Sequence, residues 1–239
     1  MAEKYKVKLL KKEEVAESTM LFTFEKPEGF EYRAGQTIDL IINSLSGETM
    51  SHTFSLATAP HENELTIVTR MRDSDYKKTL RVLSEGSEVE VEGPYGSFAL
   101  HQDDKKSAVF LVGGIGIAPF LSMIKDAEEN KKLHKLYLFY SNRRPEDAPF
   151  LDELNTLADS KNIQLTFIPT MTNLENSTEV WTGEQGYITW EMIRKYIPES
   201  ETAIYYMAGP QAMVTTMRSL LTANGVSEDD IRFEEFSGY

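Results

Sequence analysis

The sequence predicts two domains, an N-terminal antiparallel β-barrel over residues 1–103 and a C-terminal α/β domain with a parallel sheet over residues 104–239. Short β-type runs separated by turn residues fill the N-terminal part, a pattern typical of antiparallel barrels and sandwiches. From the polar stretch at 101–106 onward, apolar strands alternate with helical segments, which is typical of a parallel sheet covered by helices on both faces. We therefore place the linker at that stretch.

The element boundaries follow from turn residues and from changes of hydrophobic period. In the N-terminal domain, the predicted elements are strands at 5–10, 20–25, 37–42, 49–56, 65–71 and 88–92 and a helix at 76–83. In the C-terminal domain, they are strands at 109–112, 135–140, 163–168, 204–207 and 231–236 and helices at 118–129, 146–160, 189–196 and 211–224.

Composition excludes several classes of function. The chain has 239 residues and a net charge of -13, with neither half basic, so a nucleic-acid partner is disfavoured. It has no cysteine, which excludes disulfides, thiolate metal sites and a cysteine-ligated iron–sulfur cluster within these residues. The four histidines show no ligand spacing, so no metal site is expected.

Nothing in the sequence predicts a membrane segment. The N-terminal residues lack the apolar core of a signal peptide, and the longest apolar stretch, near 109–123, is interrupted by glycine and proline. The sequence therefore predicts a cytoplasmic protein without a membrane partner.

A glycine-rich turn follows the first strand of the C-terminal domain. Gly113, Gly114 and Gly116 let the backbone turn sharply and let a phosphate approach, and the following helix offers that phosphate N–H groups. Pro119 stands where the usual dinucleotide-binding pattern has its third glycine. From this turn alone, phosphate binding and a plain strand-to-helix turn are equally good interpretations.

The end of the next predicted strand indicates which dinucleotide would bind. An acidic residue there would accept hydrogen bonds from a ribose 2′-hydroxyl, but this chain has Ser141, Arg143 and Arg144, which suit a 2′-phosphate. The sequence therefore slightly favours NADP(H) over NAD(H). The alternative is that the two arginines pair with Glu146 and Asp147 at the start of the next helix.

Three segments of the N-terminal domain carry what a flavin needs, namely an aromatic face, hydrogen-bond donors and cations. These segments are His52, Thr53, Phe54 and Ser55 at one strand end, Arg70 and Arg72 at another, and Lys77, Lys78, Thr79 and Arg81 in the short helix. The simpler interpretation makes the phenylalanine a core residue and the basic cluster a solvated helix face. Spacing alone leaves their function open.

The order of six motifs resembles the ferredoxin–NADP reductase superfamily, and more narrowly its compact FAD-binding oxidoreductases. The motifs are HTFSLAT at 52–58, EGPYGSF at 92–98, GGIGIAP at 113–119, FYSNRRPEDAPFLDEL at 139–154, AGPQAMV at 208–214 and EEFSGY at the C-terminus. Each is modest alone, but together they cover nearly the whole chain in the family's order.

The resemblance implies a flavin-binding barrel followed by a nucleotide-binding domain, with FAD in the cleft between them. Phe54 would flank the isoalloxazine ring, and Ser55 would hydrogen-bond near its N5 atom. The segment from Arg70 to Lys78 and Thr79 would meet the flavin phosphates.

The resemblance also implies where the nicotinamide dinucleotide binds. The glycines of the turn, Gly114 and Gly116 above all, would face its pyrophosphate, and Gly209 and Pro210 would lie beside the nicotinamide. A terminal aromatic residue would cover the flavin until the nicotinamide displaces it. The candidates for that role are Phe236 and Tyr239, and the residues expected beside the reacting atoms are Ser55 and Tyr239.

Three positions depart from the family pattern. His52 stands where the family has an arginine that neutralises a flavin phosphate, which leaves the choice between FAD and FMN open. Ala118 stands where members often have threonine, and Ala208 stands where many have cysteine.

The implied function is electron transfer from NAD(P)H through FAD to a separate acceptor, such as a ferredoxin, a flavodoxin or an oxygenase component. The alternative is a non-catalytic flavin- or nucleotide-binding subunit that senses redox state in a larger complex, which Ala118 and Ala208 leave open. For Glu234 and Glu235, a solvated strand end is favoured over a proton relay.

An acidic acceptor would need a basic docking patch on this acidic chain. The candidates are Lys77, Lys78 and Arg81 in one patch and Lys4, Lys6, Lys8, Lys11 and Lys12 in the other.

Overall fold

The computed structural model describes residues 3–44, 47–198 and 202–236. The chain divides into two compact units. The first consists of the residues up to Ala99 together with Ala118–Asp126, and the second of Leu100–Ile117 and the residues from Ala127 onward. Within the described ranges, no helix is both long and apolar enough to cross a membrane.

The first unit is built on a six-stranded antiparallel sheet. Its elements are β1 (Glu3–Ala16), β2 (Thr19–Glu25), β3 (Thr37–Asn43), β4 (Thr49–Ser55), β5 (Glu64–Arg70), α1 (Asp75–Val82) and β6 (Glu88–Tyr95). The strands follow the order β4-β3-β6-β1-β2-β5. Just after β4, the N–H of Ala57 donates to the carbonyl of Thr66 in β5 at 2.8 Å, which links the two end strands, as closure of a barrel requires. The predicted antiparallel domain is confirmed.

Strand β1 is longer than the sequence pattern predicts. Its residues through Lys8 pair with β6, and those from Leu9 onward pair with β2, with register shifts after Leu9 and after Glu14. The sequence pattern predicted that this strand ends at residue 10, and the next four residues are all charged. Those residues keep at least part of their surface exposed, so the ladder tolerates their charges.

The core of the first unit comes from alternate residues of its strands. Ile38 and Leu40 of β3 and Phe22 and Phe24 of β2 are fully buried. Each such side chain stabilises the fold by about 1.5–3 kcal/mol relative to exposure. Phe54 of β4 belongs to the same core.

The remaining elements form the second unit and the helix shared with the first. They are β7 (Ser107–Gly113), α2 (Ile117–Glu129), β8 (Lys135–Asn142), α3 (Leu151–Ala158), β9 (Gln164–Met171), β10 (Glu184–Gln185), α4 (Trp190–Tyr196), β11 (Ala203–Pro210), α5 (Gln211–Ala223) and β12 (Ile231–Phe236). The strands follow the order β10-β9-β8-β7-β11-β12, and every neighbouring pair is parallel. The predicted parallel sheet is confirmed.

The helix predicted at 146–160 is shorter than expected. A single 3-10 turn covers Pro145–Asp147, and the helix begins only at Leu151. Pro149 disfavours helical backbone at Ala148, which is extended, and Phe150 has a φ of +66°. The hydrophobic pattern of residues 146–160 has a helical period, so it did not predict this interruption.

The predicted linker at 101–106 packs against the second unit at its N-terminal end. His101 is buried, with Nδ1 2.9 Å from the hydroxyl of Tyr206 and Nε2 3.0 Å from the carbonyl oxygen of Lys106. The ring of His134 lies edge-on to it at 4.8 Å, and burial lowers the pKa of both histidines. This stretch is therefore a fixed part of the second unit.

The position of β7 determines where a ligand can bind in the second unit. β7 lies between β8 and β11, and the chain continues from it to β8 on one side and returns to β11 on the other. In open α/β sheets, such a reversal opens a crevice at the carboxyl ends of the central strands, and ligands bind there. The carboxyl ends of β7 and β11 therefore mark the candidate site of this unit.

Candidate functional site

The predicted glycine turn lies at this edge of the parallel sheet. Gly113 ends β7, and Gly114–Gly116 form one 3-10 turn that leads directly into α2. Gly114 has a φ of +54° and Gly209, near the end of β11, a φ of +154°, a range that favours glycine. The strand–turn–helix arrangement expected from the sequence is present.

The same glycines allow β7 and β11 to approach through their backbones. A Cβ atom on Gly116 would overlap the carbonyl oxygen of Ala208 and lie 2.9 Å from the backbone nitrogen of Gly209. One on Gly113 would overlap Sδ of Met213, and one on Gly209 would lie 3.3 Å from the nitrogen of Gly113. A larger residue at Gly116 would therefore force the two strand ends apart, because the atoms that it meets belong to the backbone.

Two helices begin at this edge of the sheet. α2 follows the glycine turn, and α5 begins directly after Pro210 with no side-chain cap. Helix N-termini carry free N–H groups and a partial positive charge. The edge therefore suits an anionic group such as a pyrophosphate.

The two arginines that follow β8 differ in their surroundings. Arg144 donates to Asp147 at 2.9 and 3.1 Å, so the ion-pair alternative is confirmed for this residue. Glu146 instead accepts hydrogen bonds from the loop after β9. Arg143 is exposed, and the described residues offer its side chain no partner. Ser141, near the end of β8, is partly exposed, so Arg143 and Ser141 are the groups free to receive a 2′-phosphate.

In the first unit, β4 and α1 bring three rings and an ammonium group together. The ring of His52 stacks on that of Phe54 at 4.9 Å and lies 5.4 Å from that of Tyr76. Nζ of Lys77 lies 4.6 Å from the ring centroid of Phe54. Because Phe54 is only 7% exposed, it is a core residue here, and the stacking of a flavin on it stays a prediction. We call His52, Phe54, Tyr76 and Lys77 the aromatic cluster.

Ser55, the next residue of β4, has a buried hydroxyl for which the described residues provide no hydrogen-bond partner. Leaving a buried hydroxyl unpaired costs about 1–3 kcal/mol, so a ligand atom that pairs with it is stabilised. Thr53, by contrast, is exposed and donates to Asp39. Ser55 is therefore the β4 residue best placed to bind a ligand.

The start of α1 is acidic, contrary to what a bound phosphate needs. Ser74 caps the helix by accepting from the N–H of Lys77, and Asp75 lies in the first turn. Lys78 is exposed and pairs with Asp73 at 2.6 Å. Thr79, also on α1, is buried, and Arg70 at the end of β5 is partly exposed. Contact of either residue with the flavin phosphates stays a prediction.

Neither predicted docking patch is a free basic surface. Lys77 is 9% exposed, so its predicted part in docking is wrong. Most of the lysines near the N-terminus are neutralised or engaged. Lys4 pairs with Glu92, Lys6 with Glu88 and Lys11 with Glu13, while Lys12 donates to the carbonyls of Arg81 and Leu83.

One of the two acidic residues expected at a solvated strand end is buried instead. Glu234 of β12 pairs in register with Ala208, and its Oε2 atom is buried without a hydrogen-bond partner among the described residues. Burial raises the pKa of Glu234 to about 7. The solvated interpretation is therefore wrong for Glu234, whereas Glu235 is exposed. Phe236 ends β12, and both its side chain and Tyr239 lie outside the part of the chain that the structure describes.

Two family models match the chain in the order of its units. An oxidoreductase FAD-binding domain matches residues 6–100, and an oxidoreductase NAD-binding domain matches residues 110–219. The first match contains the aromatic cluster and Ser55. The second contains the glycine turn, Arg143 and Gly209.

Curated relatives of the chain include a protein named as a reductase component and a protein of phenol hydroxylase. The reductase component of propane 2-monooxygenase from Rhodococcus jostii (strain RHA1) is 29% identical over 218 residues, which cover 89% of this chain and 57% of that protein. The phenol hydroxylase P5 protein of Acinetobacter pittii (strain PHEA-2) is 28% identical over 212 residues, 86% of this chain and 58% of that protein. The chain thus spans less than two thirds of the length of these curated relatives.

A solved structure shares the fold over its whole length. It is a ferredoxin NADP+ reductase from Neisseria gonorrhoeae with bound FAD and NADP, which superposes with a TM-score of 0.83 at 21% identity. The match covers 98% of this chain and 99% of that one.

Proposed function

The chain belongs to the ferredoxin–NADP reductase superfamily, and on that premise we propose that it transfers electrons from NAD(P)H through bound FAD to an acceptor. The observation that carries the proposal is the presence of an FAD-binding and an NAD-binding oxidoreductase domain on one chain. The two matched ranges leave residues 101–109 between them, and we propose residues 103 and 104 as the boundary of the two family domains, although the compact units divide at Ala99 and Leu100. When bound, the flavin accepts a hydride and releases its electrons one at a time.

The residues of the first unit fit a flavin. The unpaired, buried hydroxyl of Ser55 would hydrogen-bond at N5, the atom that receives the hydride. Phe54 directly precedes it, and we propose that the isoalloxazine ring lies against its aromatic side chain. Thr53, Arg70, Lys78 and Thr79 complete the set of groups proposed around the flavin.

Ser55 provides the first test of this assignment. Replacing Ser55 by alanine is expected to slow flavin reduction by NAD(P)H about tenfold, because one hydrogen bond at the reacting atom is lost. Stability of the flavin-free protein is not expected to fall, because the hydroxyl has no partner there. Rapid-mixing absorbance gives the rate, and Ser51→Ala, at an exposed position of the same strand, is the control. An unchanged reduction rate contradicts the role of Ser55.

The residues of the second unit fit the dinucleotide. The backbone of Gly113, Gly114 and Gly116 and the start of α2 would bind the pyrophosphate, and Gly209 and Pro210 would orient the nicotinamide. Glu234 holds a proton below its raised pKa and lies in register with Ala208. We propose that this carboxyl group hydrogen-bonds to the nicotinamide side of the site.

We assign the preference for NADPH to Arg143. Replacing Arg143 by serine is expected to lower kcat/KM for NADPH about 10- to 100-fold, because a charged hydrogen bond to the 2′-phosphate is lost. The kcat/KM for NADH, which lacks that phosphate, should stay the same. Arg144→Ser is the comparison, since its side chain is held by Asp147. An equal loss of kcat/KM with NADPH and NADH would mean that Arg143 does not bind the 2′-phosphate.

We propose an oxygenase component or a ferredoxin-type protein as the acceptor. Two relatives carry the names of a monooxygenase reductase component and a phenol hydroxylase protein, which supports this choice over a flavodoxin. A cysteine-ligated iron–sulfur cluster of such an acceptor would lie outside these residues, because they contain no cysteine. A cytoplasmic location stays a prediction from the sequence.

Reconstitution with FAD tests the function. The protein is expected to bind one FAD per chain and then to catalyse reduction of ferricyanide by NADPH or NADH. Binding of FAD without any reduction would instead favour the redox-sensing subunit, the alternative that Ala118 and Ala208 leave open. Failure of the protein to bind FAD would contradict both the reductase function and the flavin-binding form of the redox-sensing subunit.

A further inference from the structure

Two arginines and two carboxylates follow β8, and they do not combine into two ion pairs. Arg144 donates to Asp147 at 2.9 and 3.1 Å, and Asp147 is buried in this pair. Arg143 and Glu146 have the same spacing along the chain, so their long side chains could reach each other. Within the part of the chain that the structure describes, they form no such pair. The arrangement of Glu146 explains why.

The carboxylate of Glu146 is held by the loop that follows β9. It accepts from the hydroxyl of Ser177 at 3.0 and 3.1 Å, and from the backbone N–H and the hydroxyl of Thr178 at 2.6 and 2.9 Å. A hydrogen bond from its own backbone N–H and these bonds from the loop lower the pKa of Glu146 to about 2. The group is therefore charged at neutral pH, and both of its oxygens are engaged.

The same loop is anchored beside Arg143 through its backbone. The N–H of Asn173 donates to the carbonyl oxygen of Arg143 at 2.8 Å, and the N–H of Thr172 donates to that of Asn142 at 3.0 Å. The hydroxyl of Thr172 donates to the same oxygen of Asn142 at 3.2 Å. These bonds fix the loop at the segment that carries Arg143, so its donors stay within reach of Glu146.

The bonds from the loop compete with an ion pair between Glu146 and Arg143. Hydrogen bonds to a charged group stabilise more than an exposed ion pair, which must also order two long side chains. Glu146 therefore stays with the loop, and the guanidinium group of Arg143 stays exposed. An arginine that was paired with a carboxylate would have to give up that pair before it could bind a phosphate.

We propose that Ser177 and Thr178 determine the preference for NADPH by keeping Glu146 away from Arg143. This inference rests on the proposed function, in which Arg143 binds the 2′-phosphate. Neither loop residue needs to touch the dinucleotide, so both are positioning residues that act through a carboxylate. A released Glu146 would pair with the guanidinium group and would repel the 2′-phosphate.

Removing the two side-chain donors of the loop tests this role. In the double variant Ser177→Ala, Thr178→Val, kcat/KM for NADPH is expected to fall about fivefold, as for competition with one exposed ion pair. The kcat/KM for NADH, which has no 2′-phosphate, should stay the same. Inhibition by 2′,5′-ADP, measured with NADH as the electron donor, should weaken by the same factor. Ferricyanide reduction by the FAD-reconstituted protein gives all three values.

A third substitution distinguishes release of Glu146 from general damage to the loop. Adding Glu146→Gln to the double variant removes the competing charge and should restore kcat/KM for NADPH to nearly the wild-type value. A loop that was merely disordered would not regain the preference when another of its contacts is lost. Thr182→Val, at an exposed position later in the same loop, is the matched control and should change neither constant.

Three results would overturn the inference about Ser177 and Thr178. They are an unchanged ratio of kcat/KM for NADPH to that for NADH in the double variant, an equal loss with both nucleotides, or a lowered ratio that Glu146→Gln does not restore. If Arg143→Ser leaves this ratio at its wild-type value, the assignment of Arg143 in the proposed function fails instead. The two failures are therefore distinguishable.

Discussion

Replacing Gly116 by alanine is expected to weaken nicotinamide dinucleotide binding by more than about 100-fold and to destabilise the second unit by about 3 kcal/mol. The added methyl group would overlap the carbonyl oxygen of Ala208 and lie 2.9 Å from the backbone nitrogen of Gly209. Neither backbone atom can rotate away, so the ends of β7 and β11 must separate. The glycine turn that would bind the pyrophosphate and the residues Gly209 and Pro210 that would orient the nicotinamide are displaced together, because both lie at these strand ends.

Binding of NADP+ by titration calorimetry and thermal unfolding measure the two effects. Gly186→Ala is the matched control: its methyl group would meet nothing within 4 Å, although its φ of +87° makes alanine mildly unfavourable. This control should lose stability but bind NADP+ as wild type does. Wild-type affinity in Gly116→Ala would show that the dinucleotide does not bind at this turn.

Replacing Glu234 by glutamine is expected to stabilise the protein at pH 8 and to leave its stability unchanged near pH 4. Burial raises the pKa of Glu234 from its ordinary value of 4.5 to about 7. In the unfolded chain this carboxyl group ionises first, so the native state loses stability as the pH rises between those values. At pH 8 the loss is about 2–3 kcal/mol, which glutamine avoids because it carries no charge.

Thermal unfolding from pH 4 to pH 8 measures this difference. The midpoint of Glu234→Gln should exceed that of wild type by about 5–10 °C at pH 8 and should match it at pH 4. Glu235→Gln, at the exposed neighbouring position, should follow the wild-type curve throughout. Parallel curves for Glu234→Gln and wild type would contradict a raised pKa at Glu234.

The fold was largely predictable because its elements have clear hydrophobic periods. β7, for example, is apolar throughout and runs into a glycine turn, so strand, turn and helix follow from the sequence. β1 was predicted too short because charged side chains that remain exposed do not interrupt the backbone hydrogen bonds of a strand. The interruption before α3 depends on the backbone conformation of Phe150. A hydrophobic pattern does not predict the backbone conformation of a single residue.

The candidate site was less predictable because burial depends on contacts between distant segments. Lys77 belongs to a basic run that is typical of a solvated helix face, yet β4 and β5 bury it. Glu234 stands near the end of the chain, and its burial follows from pairing with β11. Arg144 differs from Arg143 through its ion pair with Asp147 and its hydrogen bond to the carbonyl of Asn176, and the sequence alone does not show which of the two arginines makes these contacts.

Hydride transfer to FAD bound by this chain is the central claim, and anaerobic single-turnover reduction tests it most directly. The FAD-reconstituted protein is mixed with excess NADPH, with NADH, and with each nucleotide deuterated at C4 of the nicotinamide. The account predicts that the flavin absorbance bleaches in one phase that slows on deuteration. Unchanged flavin absorbance with both nucleotides at saturation would contradict it.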